Sequence, residues 1–205
     1  MQDPFDPDSF IITANVHILG IAPRIERTLE LPVDLNFAQF HEVLQAAFGW
    51  TDSHLHRFDV GGLTIGAPEF DDGDTYGPCT IEAGGVRMQD LSFPYGEDAS
   101  LQALYVYDYG DDWHHRIMLR RRMRDPNVSY PRCIEGVRSG PPEDMGGYSG
   151  YADCTPTASS FSNDRVSFGG PSFVTRSDHE VFPAAVSITS PRRSRSLSIL
   201  FLATR

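Results

Sequence analysis

The chain has 205 residues, 40% hydrophobic and 22% charged, ordinary proportions for one globular domain or one domain plus a tail. Its net charge is −11 and all 17 of its cations are arginine, which argues against a general affinity for nucleic-acid backbones; no apolar run approaches the roughly 18 residues of a membrane span. The acidic, Pro-containing start, Met1 to Asp8, is unlike a secretory signal, so a cytoplasmic location is expected, and Cys79, Cys133 and Cys154 lack paired spacing, so free thiols are expected.

In chain order, Phe10 to Leu19 alternates and is β-rich, Gly20 to Pro23 is a turn, and Arg24 to Leu31 alternates again, which predicts an N-terminal hairpin. Asn36 and Gln39 have the spacing of a capping box, Phe37, Phe40, Val43, Leu44, Ala47 and Phe48 form one apolar stripe, and Gly49 suits a left-handed cap. A helix is therefore predicted between them. His54 to Val60 reads as a strand, with Leu63 to Ile65 as its extension into a hairpin, Pro68 to Pro78 as an acidic loop, and Thr80 to Met88 and Ala103 to Tyr109 as strands. Trp113 to Met123 alternates most clearly, with Trp113, His115, Ile117 and Leu119 on one face, so Tyr109-Gly-Asp-Asp112 reads as a hairpin connection. Pro131 to Tyr151, rich in Gly and Pro, reads as an irregular loop. The expected fold class is α+β: a single domain with a mostly antiparallel sheet and one or two helices packed on a face.

Composition breaks near residue 154. Residues 1–154 carry a net charge of −14, and 155–205 are Ser/Arg-rich with a net of +3. The domain is accordingly expected to end there. The tail reads as a frameshifted or otherwise non-native ending, or as a disordered extension.

Chemistry-bearing residues concentrate in three segments. His54 and His56 are two apart, so on a strand both imidazoles share a face. Asp108, Asp111, Asp112 and His115 belong to the Y-V-Y-D-Y-G-D-D-W-H-H-R-I stretch, and Cys133, Glu143 and Asp144 to the Y-P-R-C-I-E-G…P-P-E-D-M-G-G-Y stretch. Imidazole and carboxylate together suit a divalent metal ion, and His54, His56, Asp108, His115 and Glu143 are the candidate ligands. Glu143, Asp111 and His115 are the candidates for acid–base work, with Trp113, Cys133 and Asp144 completing a polar cleft. No H-E-x-x-H, C-x-x-C, G-x-S-x-G or phosphate-binding loop accompanies them. The competing reading is structural: turn aspartates bond local amides, and Pro-Pro-Glu-Asp is an anchored loop whose carboxylates cap a helix or meet an Arg. Cys133 is either a nucleophile beside His115 or a buried small side chain. Tyr105, Tyr107 and Tyr109 are a stacking surface or half-buried packing. Arg120 to Arg124 is the one basic cluster, for local phosphate contact or, preferably, for balancing acidic loops or shielding an edge strand.

With H-L-H-R-F at His54 to Phe58 and A-Q-F-H-E-V-L-Q-A-A-F-G-W at Ala38 to Trp50, these motifs make the chain resemble the plasmid pRiA4b ORF3-like family over roughly residues 10 to 153. The resemblance implies an α+β domain found in bacterial chromosomes and mobile elements, with no settled reaction. Two functions follow as expectations: a binding or accessory module with a polar cleft between the Asp/His hairpin and the Pro-Pro-Glu-Asp loop, or a metal-dependent hydrolase using the same cleft.

Overall fold

The computed structural model describes residues 6–68, 79–94 and 99–154, and the backbone of three short strands beyond them. The elements are β1 (Phe10–Ile18), β2 (Glu26–Pro32), α1 (Phe37–Phe48), β3 (His56–Val60), β4 (Leu63–Gly66), β5 (Thr80–Glu82), β6 (Leu101–Tyr107), β7 (Trp113–Met123), β8 (Arg132–Val137) and α2 (Gly147–Cys154). Strands β9 (Arg165–Ser167), β10 (Val186–Ile188) and β11 (Leu197–Ile199) follow.

Strands β1 to β8 form one sheet in the order β5-β4-β3-β6-β7-β1-β2-β8, which β9 extends beyond β8; β10 and β11 pair with each other. Every pairing in the large sheet is antiparallel except β4 with β5. The α+β expectation is met.

Helix α1 forms where its signals place it. Asn36 accepts from the Gln39 amide at 2.8 Å, Gln39 returns a bond to the Asn36 amide at 3.1 Å, and Gly49 adopts φ +82°. The apolar stripe covers one face of the sheet, where Phe58 meets Phe37 and Phe40 at ring-centroid distances of 5.0 and 5.3 Å. Burying each such ring contributes roughly 1.5–3 kcal/mol. The alternation read in β7 is realised, with Trp113, His115, Ile117 and Leu119 all buried. The other face carries polar pairs, among them Asn15 with Thr28 at 3.0 Å and Arg132 with Glu30 at 2.6 Å.

Arg27 brings a charge to the core face. Buried against the Phe48 ring, it donates to the carbonyls of Ala47, Glu26, Val137 and Arg138, so it satisfies the C-terminal end of α1 and ties it to the end of β8.

Two expectations need correction. Thr80 to Met88 is a strand only to Glu82, because Ala83–Gly85 turns into a 3-10 helix at two glycines and Met88–Asp90 forms another. Pro131 to Tyr151 is not wholly irregular: it contains β8, pairing with β2, and the start of α2. The Arg120 to Arg124 cluster follows Leu119, the last residue of β7 paired with β6, so that end of the strand pairs with β1 alone; Arg120 bonds Asn15, and Arg121 and Arg124 lie over Phe10 and Tyr130. The acidic loop, apart from Pro68, lies outside the described residues, as does the tail apart from the backbone of its three strands.

Candidate functional site

The segment after α1, the β6–β7 hairpin loop and the segment before α2 meet at one end of the sheet. Tyr107, the last residue of β6, holds two of them together. Its hydroxyl donates to the Glu143 carboxylate at 3.0 and 3.2 Å and accepts the Ser53 amide at 3.2 Å. Burial first, and then the Glu143 carboxylate, push the Tyr107 phenol above its ordinary range, so it remains a donor. Glu143 also accepts the Thr51 amide at 2.8 Å, and Trp50 Nε1 donates to the Pro141 carbonyl at 2.7 Å. The Pro-Pro-Glu-Asp loop is thus anchored through Tyr107, Thr51 and Trp50, not by an arginine or a helix end.

The hairpin loop is a tight aspartate turn. Asp108, with φ +57°, accepts the Gly110 and Asp111 amides through Oδ1 at 3.0 and 3.3 Å, which leaves Oδ2 to face the cleft. Asp111 Oδ2 accepts the Gly146 amide at 3.0 Å. Gly147, at φ +65°, passes so close that a Cβ there would stand 2.6 Å from the Asp111 carbonyl oxygen.

Into this junction projects His54. Its Nε2 lies 3.1 Å from Asp144 Oδ1, 3.6 Å from Asp108 Oδ2 and 3.8 Å from Glu143 Oε2. That nitrogen is closed to solvent and makes no hydrogen bond. Ligand atoms of His54, Asp108 and Asp144 fall within 4.8 Å of one another. Around a metal with bonds of about 2.0–2.2 Å, neighbouring ligand atoms stand roughly 3.0–3.6 Å apart, so the spacing suits a divalent ion.

A second group lies on the side of α1. His41 Nε2 meets Asp52 Oδ1 at 2.7 Å, and His41 Nδ1 meets the Tyr105 hydroxyl at 2.8 Å. Gln45 donates to that hydroxyl at 3.1 Å and accepts the Asp52 amide at 2.7 Å, which closes a ring of four hydrogen bonds. The carboxylate accepts, so His41 donates from Nε2, and this bond holds the Asp52 carboxyl below its ordinary range. His56 stacks on His41, rings 3.5 Å apart and 4° from parallel. Burial, with the neighbouring His41, pushes His56 down to about 3, so it is neutral at pH 7. A cavity of about 310 Å³ is lined by Asp52, Ser53, His54, Leu55, His56 and Ala67, and so touches both groups.

The sequence candidates therefore separate. His54, Asp108, Glu143 and Asp144 converge, and His56 joins His41 and Asp52 instead. His115 is sealed in the core, its Nδ1 donating to the Trp113 and Tyr105 carbonyls at 3.1 and 3.3 Å, and burial drives it down to about 3. Trp113 is buried against Tyr148 and Tyr151, and Asp111 serves the Gly146 amide. Cys133 lies in β8, three strand positions from the strand of His115, about 14 Å at ordinary strand spacing. Burial raises its thiol to about 11, the state of an inert side chain. Of the tyrosines, Tyr105 and Tyr107 are fully buried, and Tyr109 is exposed outside the strand. Sequence reasoning missed His41, Asp52 and Gln45. His41 sits among the apolar residues of α1, and its partner comes from a loop eleven residues on, a spacing with no motif to announce it.

A mostly antiparallel sheet covered by α1, with acidic and imidazole side chains gathered at one end, defines an α+β domain with a His/Asp/Glu cluster. The family model described as Plasmid pRiA4b ORF-3-like protein matches residues 11–165, and the chain belongs to that family. It is 33% identical over 143 residues to the uncharacterized protein y4hQ of Sinorhizobium fredii (strain NBRC 101917 / NGR234), a match that spans 70% of each chain. Among solved structures it is similar to a protein of unknown function from Methanosarcina mazei Go1, at 32% identity and a TM-score of 0.61, covering 71% of this chain and 79% of that one.

Proposed function

We propose that the protein is a binding module whose polar cleft seats a divalent cation on His54, Asp108 and Asp144. The observation that carries this reading is the His54 Nε2 atom, shielded from water and without a hydrogen bond, with three carboxylates 3.1–3.8 Å away. Carboxylates crowded around one imidazole repel one another, and a doubly charged ion removes that repulsion while giving the nitrogen a partner. Glu143 stands outside the ligand set in this reading, because Tyr107 and Thr51 already hold it. It keeps the loop carrying Asp144 in place.

The test is calorimetric titration of the chelator-treated full chain with zinc chloride and, separately, manganese chloride. Saturable uptake that includes one equivalent weakened at least tenfold by His54→Ala and by Asp144→Asn supports the proposal. Uptake indifferent to both substitutions rules it out.

A hydrolase is the second reading, and one feature favours it: three protein ligands leave coordination positions for water, the arrangement of catalytic rather than structural metal sites. A metal-loaded protein that turns over ester or phosphoester substrates, and loses that turnover in Asp144→Asn, would support it. Absence of turnover across such a panel leaves the binding module.

A further inference from the structure

We infer that His41, Asp52 and His56 form a second divalent-metal site, distinct in ligand chemistry from the His54 group and selective for zinc-like transition ions. One ring nitrogen from each histidine and one Asp52 oxygen fall within 4.8 Å of one another, from α1, the α1–β3 segment and β3. Two imidazoles and one carboxylate suit zinc, cobalt or nickel, whereas a group dominated by carboxylates tolerates harder ions such as manganese.

Four features of the surroundings support a built site. Asp52 is pinned by its own backbone, at φ +57° with its amide on Gln45 Oε1 at 2.7 Å, so its carboxylate is aimed before anything binds. His41 has the outer partner that metal-bound imidazoles have: with the ion on Nε2, Nδ1 donates to the Tyr105 hydroxyl 2.8 Å away, and Gln45 positions that hydroxyl. His56 carries a ring nitrogen, Nε2, that is closed to water and without a hydrogen bond. Finally, the cavity lined by Asp52 and His56 supplies an approach.

In the metal-free form His41 and Asp52 share a proton at 2.7 Å. Bonds of about 2.0–2.2 Å would hold those two atoms roughly 3.0–3.6 Å apart. Because an imidazole lone pair lies in its ring plane, loading also requires the His56 ring to turn out of its parallel stack on His41, from 3.5 Å between centroids to roughly 4.5–5 Å. His41 then changes tautomer, moving its proton from Nε2 to Nδ1, and the Tyr105 hydroxyl turns its hydrogen away. The groups facing this site are Asp52, Glu42 and Tyr105, with His54 on the shared cavity; no arginine contact opposes a cation there among the described interactions.

The experiment is titration of the chelator-treated full chain with cobalt chloride, followed by visible d–d absorption, in wild type, Asp52→Asn, His56→Gln and His54→Ala, with circular dichroism verifying each fold. Two equivalents in wild type are expected. Asp52→Asn and His56→Gln should each remove one and leave the His54-dependent one, and His54→Ala should do the reverse. Asp52 has an exposed side chain, so its amide variant retains the fold and the test stands even where His56→Gln unfolds. A single equivalent lost only in His54→Ala overturns the second site and leaves the proposed function intact. No cobalt uptake overturns both.

Discussion

His115 gives the most direct test of how the core is built. It is fully buried, its Nδ1 proton goes to two carbonyls, and its Nε2 has no partner. In the native state it titrates at about 3, against 6.5 when exposed. Between those values the unfolded chain takes up a proton that the native protein refuses, so acidification favours unfolding. The stability due to the neutral imidazole is present well above pH 6.5 and is lost as pH falls through it, with a slope that approaches about 1.4 kcal/mol per pH unit below that value. From about pH 6.5 to about pH 5.0 the loss is between about 1 and 2 kcal/mol, a sizeable part of the roughly 5–15 kcal/mol of a typical domain. His56, also pushed to about 3, adds a slope of the same sign. The Asp52 carboxyl, held below its ordinary 3.8, adds acid sensitivity only below that pH. His115→Phe removes one titrating group while keeping an aromatic ring in the slot. Urea unfolding followed by tryptophan fluorescence suits the question, since Trp50 and Trp113 are both buried and Trp50 packs edge-on to His115 at 5.2 Å. The variant should lose about 1 kcal/mol per pH unit less than wild type between about pH 6.5 and about pH 5.0. Equal slopes would refute a buried, neutral His115.

Other predictions concern the junction of loops and the thiols. Tyr107→Phe removes a hydrogen bond to a carboxylate and strands the Ser53 amide, so equilibrium unfolding should lose about 2–4 kcal/mol; a loss under about 0.5 kcal/mol would mean that the Glu143 anchor contributes nothing. Gly147→Ala places a Cβ 2.6 Å from the Asp111 carbonyl oxygen at φ +65°, and should cost at least about 1–3 kcal/mol by the same measure, whereas Gly49→Ala, where a Cβ meets nothing within 4 Å, should cost only its φ strain of about 1–2 kcal/mol. Iodoacetamide at about pH 8 should alkylate Cys79 and Cys154, both exposed, and spare Cys133 until urea is added; mass spectrometry finding Cys133 modified in the native protein would contradict its raised pKa.

What the sequence made legible, and what it concealed, has physical causes. Helix α1 could be read because capping, apolar period and terminal glycine all agree at Asn36, Phe37 to Phe48 and Gly49. β7 could be read because its alternation reflects a sheet covered on one face only. α2 was hidden by Gly147 and Gly150, poor helix formers. Tertiary packing holds that segment instead, with Tyr148 accepting the His114 amide at 2.9 Å and packing on Trp113. In the site, residue type pointed to His54, Asp108, Glu143 and Asp144, but not to which of them would meet. The two-residue spacing of His54 and His56 suggested a pair, yet β3 begins only at His56, so the strand rule does not reach His54. His41 was concealed because a helix brings it beneath a loop, a relation that no local pattern encodes.

If the cleft around His54 holds a divalent ion, the full chain should carry that ion through purification. Metal content by plasma mass spectrometry, with Tm recorded before and after chelation, measures this without any assumed substrate. A stoichiometric divalent metal, a Tm that falls on chelation, and recovery on readdition are expected. Protein free of metal, indifferent to chelator and unchanged in Tm by added zinc or manganese would contradict a cation site at His54.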